Sequence, residues 1–256
     1  MYYISTRNRA MRVRAHEAIL QGLAPDGGLF VPERFPELDT EDLKRLCAMD
    51  FVDRVRFILS LYLDDFSADE ISGFAADAYS PSKFPAANGE REVAPTRQAP
   101  VSKVGNEYFL ELWHGPTCAF KDMALQMLPR LLSASLEKSG RRSNVLILTA
   151  TSGDTGKAAL EGFKDVERTK IMVFYPAQGV SEIQALQMIS QDGGNVFVQA
   201  VKGNFDDAQS GVKRIFTDTR LNAELDAIGW TLSSANSINW GRLLPQIVYY
   251  VSAYCD

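Results

Sequence analysis

From Val145 onward the chain alternates short, continuous apolar runs with segments of helical spacing. The runs are VLILTA from Val145, IMVFYP from Ile171, VFVQAV from Val196 and WTLSS from Trp230, with starts 26, 25 and 34 residues apart. Each gap has room for one helical crossover, which parallel strands require. The intervening segments 156–163, 181–189 and 205–216 have helical spacing, and Ser181-Glu-Ile-Gln184 reads as a capping box. Continuous apolar strands suit a parallel sheet buried on both faces, joined by right-handed crossovers. No internal sequence repeat accompanies the regular spacing.

The first third has a different pattern. Tyr2-Tyr3-Ile4 reads as a short strand, and 13–22 as a helix closed by Gly22 and the loop Ala24-Pro25-Asp26-Gly27-Gly28. Segment 51–63 puts Val55, Ile58, Leu61 and Tyr62 on one face, and Ser67-Ala-Asp-Glu70 caps a helix carrying Ile71, Phe74, Ala75 and Ala78. Ten acids and four bases between Asp39 and Asp77 mark a solvated helical surface. Between Tyr79 and Pro100 the chain turns rich in Pro, Ser and Asn, which marks a boundary. The expected fold class is α/β, with a mainly helical N-terminal subdomain at 1–92 and a parallel-sheet βαβ domain at 93–256.

Composition narrows the function classes. With 256 residues, 46% hydrophobic and 23% charged, disorder and coiled coil are excluded. A net charge of −5 offers no electrostatic footprint for nucleic acid or an anionic membrane. Cys47, Cys118 and Cys255 are too few and too scattered for a disulfide framework or a zinc cluster, so a cytoplasmic protein without a metal is expected. No run reaches 18 apolar residues. The arginine-rich start lacks the apolar core of a signal peptide.

Open parallel sheets bind ligands at the carboxyl ends of their strands. Here those ends carry Thr149-Ala-Thr-Ser-Gly-Asp-Thr-Gly156 and Ser234-Ala-Asn-Ser237, rich in small hydroxyl and amide groups. Thr151 to Gly156 follows a strand and opens a helix, where free N–H groups bind carboxylate or phosphate. A plain turn capped by Ser152 or Asp154 fits the same residues. Gly156-Lys157 imitates the end of a P-loop, but Thr151 and Ala158 break that motif on both flanks. Lys121 precedes Leu125, Leu128, Leu132 and Leu136 at helical spacing, so it is expected in the first turn of a mostly buried helix that Pro129 kinks. Burial and the positive helix end would favour a neutral amine, fit for a Schiff base or a general base. The alternative is a solvent-reaching lysine paired with Asp122. His16 and His114 accompany no activated Ser or Cys, which argues against a hydrolase triad, and His114 is expected in a loop near the site.

The stretch Glu111-Leu-Trp-His-Gly-Pro-Thr-Cys-Ala-Phe-Lys121-Asp122 resembles the pyridoxal-phosphate attachment site of the serine/threonine dehydratase class, and its wording is similar to the threonine synthase family. Ser5-Thr6-Arg7, the loop Gly22 to Leu29, Ala150 to Gly156, Gly203-Asn-Phe-Asp-Asp-Ala-Gln209 and Asn236-Ser-Ile-Asn239 with Arg242 support the narrower resemblance. It implies the fold type II architecture of the tryptophan synthase β-like family, with pyridoxal 5'-phosphate as cofactor. It also implies a lyase of threonine biosynthesis that converts O-phospho-L-homoserine and water to L-threonine and phosphate, as a monomer or homodimer. By the same resemblance Lys121 holds the cofactor and shuttles protons. Ser152, Gly153, Asp154 and Thr155 form the substrate-carboxylate loop, with Asp154 near the cofactor's ring hydroxyl. Asn236, Ser237 and Arg242 hold the leaving phosphate, to which Arg offers a bidentate fork. Asn236 to Asn239 also reads as a cap cluster for the last helix. Asp206 or Asp207 is expected to cap a helix, so that Gly203 to Asp207 is not the cofactor-phosphate cradle.

Tyr254-Cys255-Asp256 lies within an apolar segment without a stop signal, and the family's members continue further. A missing C-terminal part, carrying the cofactor-phosphate cradle, is therefore expected. The alternatives are another pyridoxal-phosphate dehydratase or lyase of this fold, a catalytically incompetent fragment or binding module, and an unrelated nucleotide-binding α/β protein.

Overall fold

Three short strands, and not helices alone, organise the start of the chain. In the computed structural model, which describes residues 1–85 and 98–256, β1 (Tyr3–Ser5) is the centre of an antiparallel sheet ordered β2-β1-β3, with β2 at Arg12–Val13 and β3 at Phe30–Pro32. Between the last two lies α1 (Ala15–Gln21), which Gly22 ends at a positive φ of 72°. Helices α2 (Thr40–Cys47), α3 (Phe51–Tyr62) and α4 (Ala68–Ala78) follow, and Asp39, Asp50 and Ser67 cap them through their side chains. The anticipated boundary at 92/93 lies outside the described residues.

A hairpin of β4 (Val101–Val104) and β5 (Glu107–Leu110) comes next, turning at Gly105-Asn106. The single kinked helix expected after Lys121 is instead two. A one-turn α5 (Asp122–Leu125) stops at Gln126, and α6 (Leu128–Lys138) restarts with Pro129 in its first turn. Proline lacks the N–H that a helix interior needs but a first turn does not, so Pro129 starts a helix and does not bend one.

The remainder is the expected parallel sheet. It comprises β6 (Asn144–Ala150), β7 (Thr169–Pro176), β8 (Val196–Val201) and β9 (Trp230–Ser234) in the order β8-β7-β6-β9. Val145 aligns with Thr169 on one side and Thr231 on the other, and Ile171 aligns with Val196. The crossovers are α7 (Asp154–Phe163), α8 (Glu182–Ile189) and a pair, α9 (Phe205–Thr217) and α10 (Thr219–Ala227), before α11 (Trp240–Cys255) closes the described chain. The sequence reading missed α10, although Asp218 caps it through the N–H groups of Arg220 and Leu221. Strand β8 departs from the fully buried expectation. It is an edge, and Phe197, Gln199 and Ala200 are exposed. The Ser181 capping box is half formed: Ser181 Oγ accepts from Gln184 N, but the glutamine side chain does not return to the Ser181 N–H.

Apolar side chains pack on both faces of the sheet. Leu148, Ala150 and Leu232 meet Ala208 and Val212 of α9 on one face. On the other, Val145, Ile147, Ile171 and Val173 join α7, α6, α11 and the N-terminal helices in one continuous core. Tyr3 and Tyr62 pack against Trp240 at 5.5 and 5.7 Å between ring centroids, so the helical N-terminal part and the α/β part share that core. Asn239 bonds Ile19 O and Ser234 O, which docks α1 beside the carboxyl end of the sheet.

Candidate active site

The loop before Lys121 is tied down by a buried carboxylate. Asp122 has no exposed surface, and its two oxygens accept from Thr117 N at 2.8 Å and Thr117 Oγ1 at 2.6 Å. Burial holds this carboxyl above its ordinary range, although both Thr117 donors and Ala119 pull the other way. Within the loop Cys118 takes a positive φ of 56°, a strained conformation for a residue with a Cβ. Upstream, His114 Nε2 lies 2.7 Å from Glu111 Oε2, and Ser102 Oγ donates to the same carboxylate.

Lys121 is the residue just before α5. Its Nζ donates to Asp154 Oδ2 at 2.7 Å and sits 4.3 Å from the centre of the Phe120 ring. Asp122 is therefore not its partner, because that carboxylate already serves Thr117. Nor is the amine stripped of neighbours as the buried-helix picture required: it is part-exposed and ion-paired.

The sheet edge supplies the facing groups. Thr151 is buried; its hydroxyl accepts from the N–H groups of Gly153 and Gly156 and fixes the turn into α7. Gly153 occupies φ 148°, a conformation that strains any residue with a Cβ, and a Cβ there would come within 2.4 Å of the Gln184 side-chain end, which would have to move aside. Neither Ser152 nor Asp154 caps the helix as the plain-turn reading had it; Asp154 Oδ1 accepts from Thr155 N. Among the described residues the backbone N–H groups of Ser152 and Asp154 find no protein acceptor. They stand at the positive end of a ten-residue helix, with Ser152 exposed and Thr155 half-buried.

The second loop is bolted to the first. Asn236 accepts from Ala150 N at 3.1 Å and donates to Ala150 O at 2.9 Å. One amide hydrogen of Asn236 remains for a ligand. Ser237 is exposed, whereas Asn239 caps α11 through Gly241 N. Arg242 is 1% exposed, and its Nε and one terminal nitrogen are buried with no partner among the described residues. Burial depresses its pKa, while Tyr249, Asp154 and Tyr79 favour the charged form. A guanidinium stays charged in proteins, so these nitrogens carry a large unmet demand for an anion. Asp154 thus lies between two cations, paired directly with Lys121 and acting at longer range on Arg242.

Of the sequence-derived residues, Lys121 and Asp154 are in direct contact, and Asn236 joins its loop to the Asp154 loop. Arg242 is buried and feels the charge of Asp154, and Ser152 and Ser237 are exposed. Gly203 to Asp207 is a helix start, in which Asn204 is the cap and Asp207 returns the bond to its N–H. The structural roles of Thr151 and Asp122, which fix the two loops, were not read from the sequence. A hydroxyl two residues before a helix-opening glycine and an Asp five residues after a loop Thr were their only signals.

Residues 2–79 match the family model described as the threonine synthase N terminus. The chain is 40% identical over 254 residues to the threonine synthase of Pseudomonas aeruginosa, covering 99% of this chain and 50% of that protein. It is 41% identical over 250 residues to human threonine synthase-like 1, covering 94% of this chain and 32% of that protein. Among solved structures, the pyridoxal-phosphate-bound threonine synthase of Brucella melitensis superposes with a TM-score of 0.82 at 37% identity, over 100% of this chain and 52% of that one. Threonine synthase from Escherichia coli superposes with a TM-score of 0.84 at 33% identity, over 100% of this chain and 54% of that one. The chain therefore spans about half the length of these threonine synthases, or less. The chain thus carries the threonine synthase N-terminal family segment at 2–79, and nearly its whole length is similar in sequence and α/β architecture to about half of a threonine synthase.

Proposed function

We propose that this chain carries the lysine and the two substrate-facing loops of a threonine synthase. That enzyme takes O-phospho-L-homoserine and water to L-threonine and phosphate. The observation that carries the reading is a part-exposed lysine, Lys121, paired with Asp154 at the sheet edge, with a buried Arg242 that feels the Asp154 charge and has two nitrogens without a partner among the described residues. The residues present fit pyridoxal phosphate in part: Lys121 offers an amine held by one replaceable ion pair, and Asp154 offers a carboxylate at its side. When bound, that cofactor supplies an electron sink for charge developing next to the substrate's amino-bearing carbon.

The chain's own residues would do the rest. Lys121 Nζ would hold the cofactor, then accept and return protons at the substrate carbons. Ser152, Gly153 and Thr155, with the free N–H groups at the start of α7, would bind the substrate carboxylate and orient it. Asn236, Ser237 and Arg242 would take the phosphate, and a desolvated guanidinium stabilises the charge that grows as phosphate leaves. A dehydratase would need the carboxylate loop but not Arg242, and that requirement favours the phosphorylated substrate. Three free thiols fit a cytoplasmic setting, and no helix among the described residues is long and apolar enough to cross a membrane. The 1–92 and 93–256 division, and a monomeric or homodimeric state, belong to the same proposal.

The test is chemical trapping. The purified chain is mixed with pyridoxal phosphate, reduced with borohydride and mapped by mass spectrometry. Cofactor mass concentrated on Lys121 is expected, and adduct scattered over surface lysines would refute a formed site in this chain. Phosphate release from phosphohomoserine is then measured with and without the remaining half of a longer family member, and Arg242→Met should lose it disproportionately.

A further inference from the structure

The three cysteines are not equivalent, and two of them meet far from the site described above. Cys47 is the last residue of α2 and Cys255 the last of α11. Between these helix ends stands Arg54 of α3, with no exposed surface. Its Nε donates to Leu46 O at 2.9 Å, while one terminal nitrogen donates to Ser252 Oγ at 2.8 Å and to Asp256 Oδ1 at 2.6 Å. One guanidinium therefore clamps the residue before Cys47 to the last turn of α11 and to the residue after Cys255. A buried cation bonded to both helix ends leaves them little freedom to separate. Burial first, and then the neighbouring Cys47 side chain, push the Cys255 thiol up to about 11. Cys47 is exposed and Cys255 half-buried against the main core, and both are free thiols.

We propose that Cys47 and Cys255 form a thiol–disulfide exchange site, which accepts a low-molecular-weight disulfide of the glutathione type and closes into a Cys47–Cys255 bond. The exposed Cys47 sulfur, once deprotonated, attacks one sulfur of the small disulfide. That S–S bond breaks, a mixed disulfide forms on Cys47, and the first small thiol leaves with a proton. Cys255 then loses its proton and attacks the Cys47 sulfur, expelling the second small thiol. Two protein thiols are oxidised, one small disulfide is reduced to two thiols, and the two protons end on them. The second step is intramolecular, so the proximity that Arg54 enforces makes it faster than addition of a second small molecule. The bond would staple the N-terminal helices to α11 and close a long loop, which raises the unfolding midpoint. Nothing in this inference depends on Lys121 or on the proposed activity.

The full chain is incubated folded with glutathione disulfide, quenched by alkylation and mapped by mass spectrometry, with a urea-unfolded sample alongside. The expected product is a linked Cys47–Cys255 peptide, enriched about tenfold or more over the unfolded sample, while Cys118 carries only glutathione. Cys255→Ser should leave Cys47 stably glutathionylated, and Cys47→Ser should slow the modification of Cys255. Stable glutathione on both Cys47 and Cys255 of the folded, unmutated chain would overturn the proposal, as would equal linkage in urea. Both serine variants retain the Arg54 clamp, and their far-UV spectra and unfolding midpoints report whether they fold.

Discussion

Replacing Gly162 with alanine tests whether the contact between α7 and α5 is as close as it stands here. Both elements matter to the site: α5 follows Lys121, and α7 begins at Asp154. A Cβ on Gly162 would lie 2.2 Å from the Leu125 carbonyl oxygen and 3.0 Å from its carbon. Ordinary contact begins near 3.4 Å, so one helix must retreat by roughly an ångström. Helix propensity pulls the other way, since alanine gains at most about 1 kcal/mol over glycine, and less in a last turn. Overpacking costs about 1–3 kcal/mol, and the upper part of that range applies because the obstacle is backbone and cannot rotate away. The net expectation is a loss of about 1–2 kcal/mol. With an m value on the order of 3 kcal/mol/M, the urea midpoint would fall by roughly 0.5 M. Gly73 in α4 is the control, because a Cβ there meets nothing within 4 Å. Gly73→Ala should stabilise by about 0.5–1 kcal/mol. If Gly162→Ala were as stable as the parent chain or more so, the close approach would be refuted.

Inorganic phosphate should stabilise the chain through Arg242, by about 2.7 kcal/mol at a hundred times its Kd. Arg242→Met should abolish that response and, without phosphate, unfold later than the parent, because a buried charge with two nitrogens unpartnered among the described residues gives way to an apolar chain. An undiminished phosphate response in the variant would remove Arg242 from the anion site. Asp122 sets a pH slope. Burial holds its folded-state carboxyl above the unfolded value, so the native chain keeps a proton that the unfolded chain has released. Its contribution is therefore fully present below the unfolded carboxylate value and is lost as pH rises through the raised folded one. Asp122→Asn should flatten that part of the stability–pH curve in urea titrations, and an unchanged slope would assign it to other groups.

Much of the fold was legible because its elements follow local rules. The four apolar runs became the four strands of one parallel sheet. Ser67 and the glycine after Gln21 ended or began helices where their side chains and φ preferences required it. The hairpin at Gly105-Asn106 and helix α10 carried ordinary turn and cap signals that went unread. The break at Gln126 could not be seen in the same way. Leucines at helical spacing continue through it, and the local pattern cannot tell a proline that kinks a helix from one that starts the next. The exposure of Phe197 on β8 was hidden for a related reason, since strand order, not strand composition, decides which strand is the edge.

For the site, the sequence alone determined the chemistry on offer: a lysine in an Ala-Phe-Lys segment, hydroxyl-rich and amide-rich loops at strand ends, and an arginine one turn into the last helix. These are properties of residue type and short spacing, which the backbone carries wherever it goes. Tertiary structure decided which groups meet. It paired Lys121 with Asp154 across 33 positions, gave Asp122 to Thr117 instead, and joined Asn236 to Ala150 across 86. It also buried Arg242 with two nitrogens lacking a partner among the described residues, and brought the Cys47 and Cys255 helix ends together around Arg54. The reason is physical. Burial and partnership depend on how helices pack on the sheet, and a pairing that distant enters the energy only once the chain has folded.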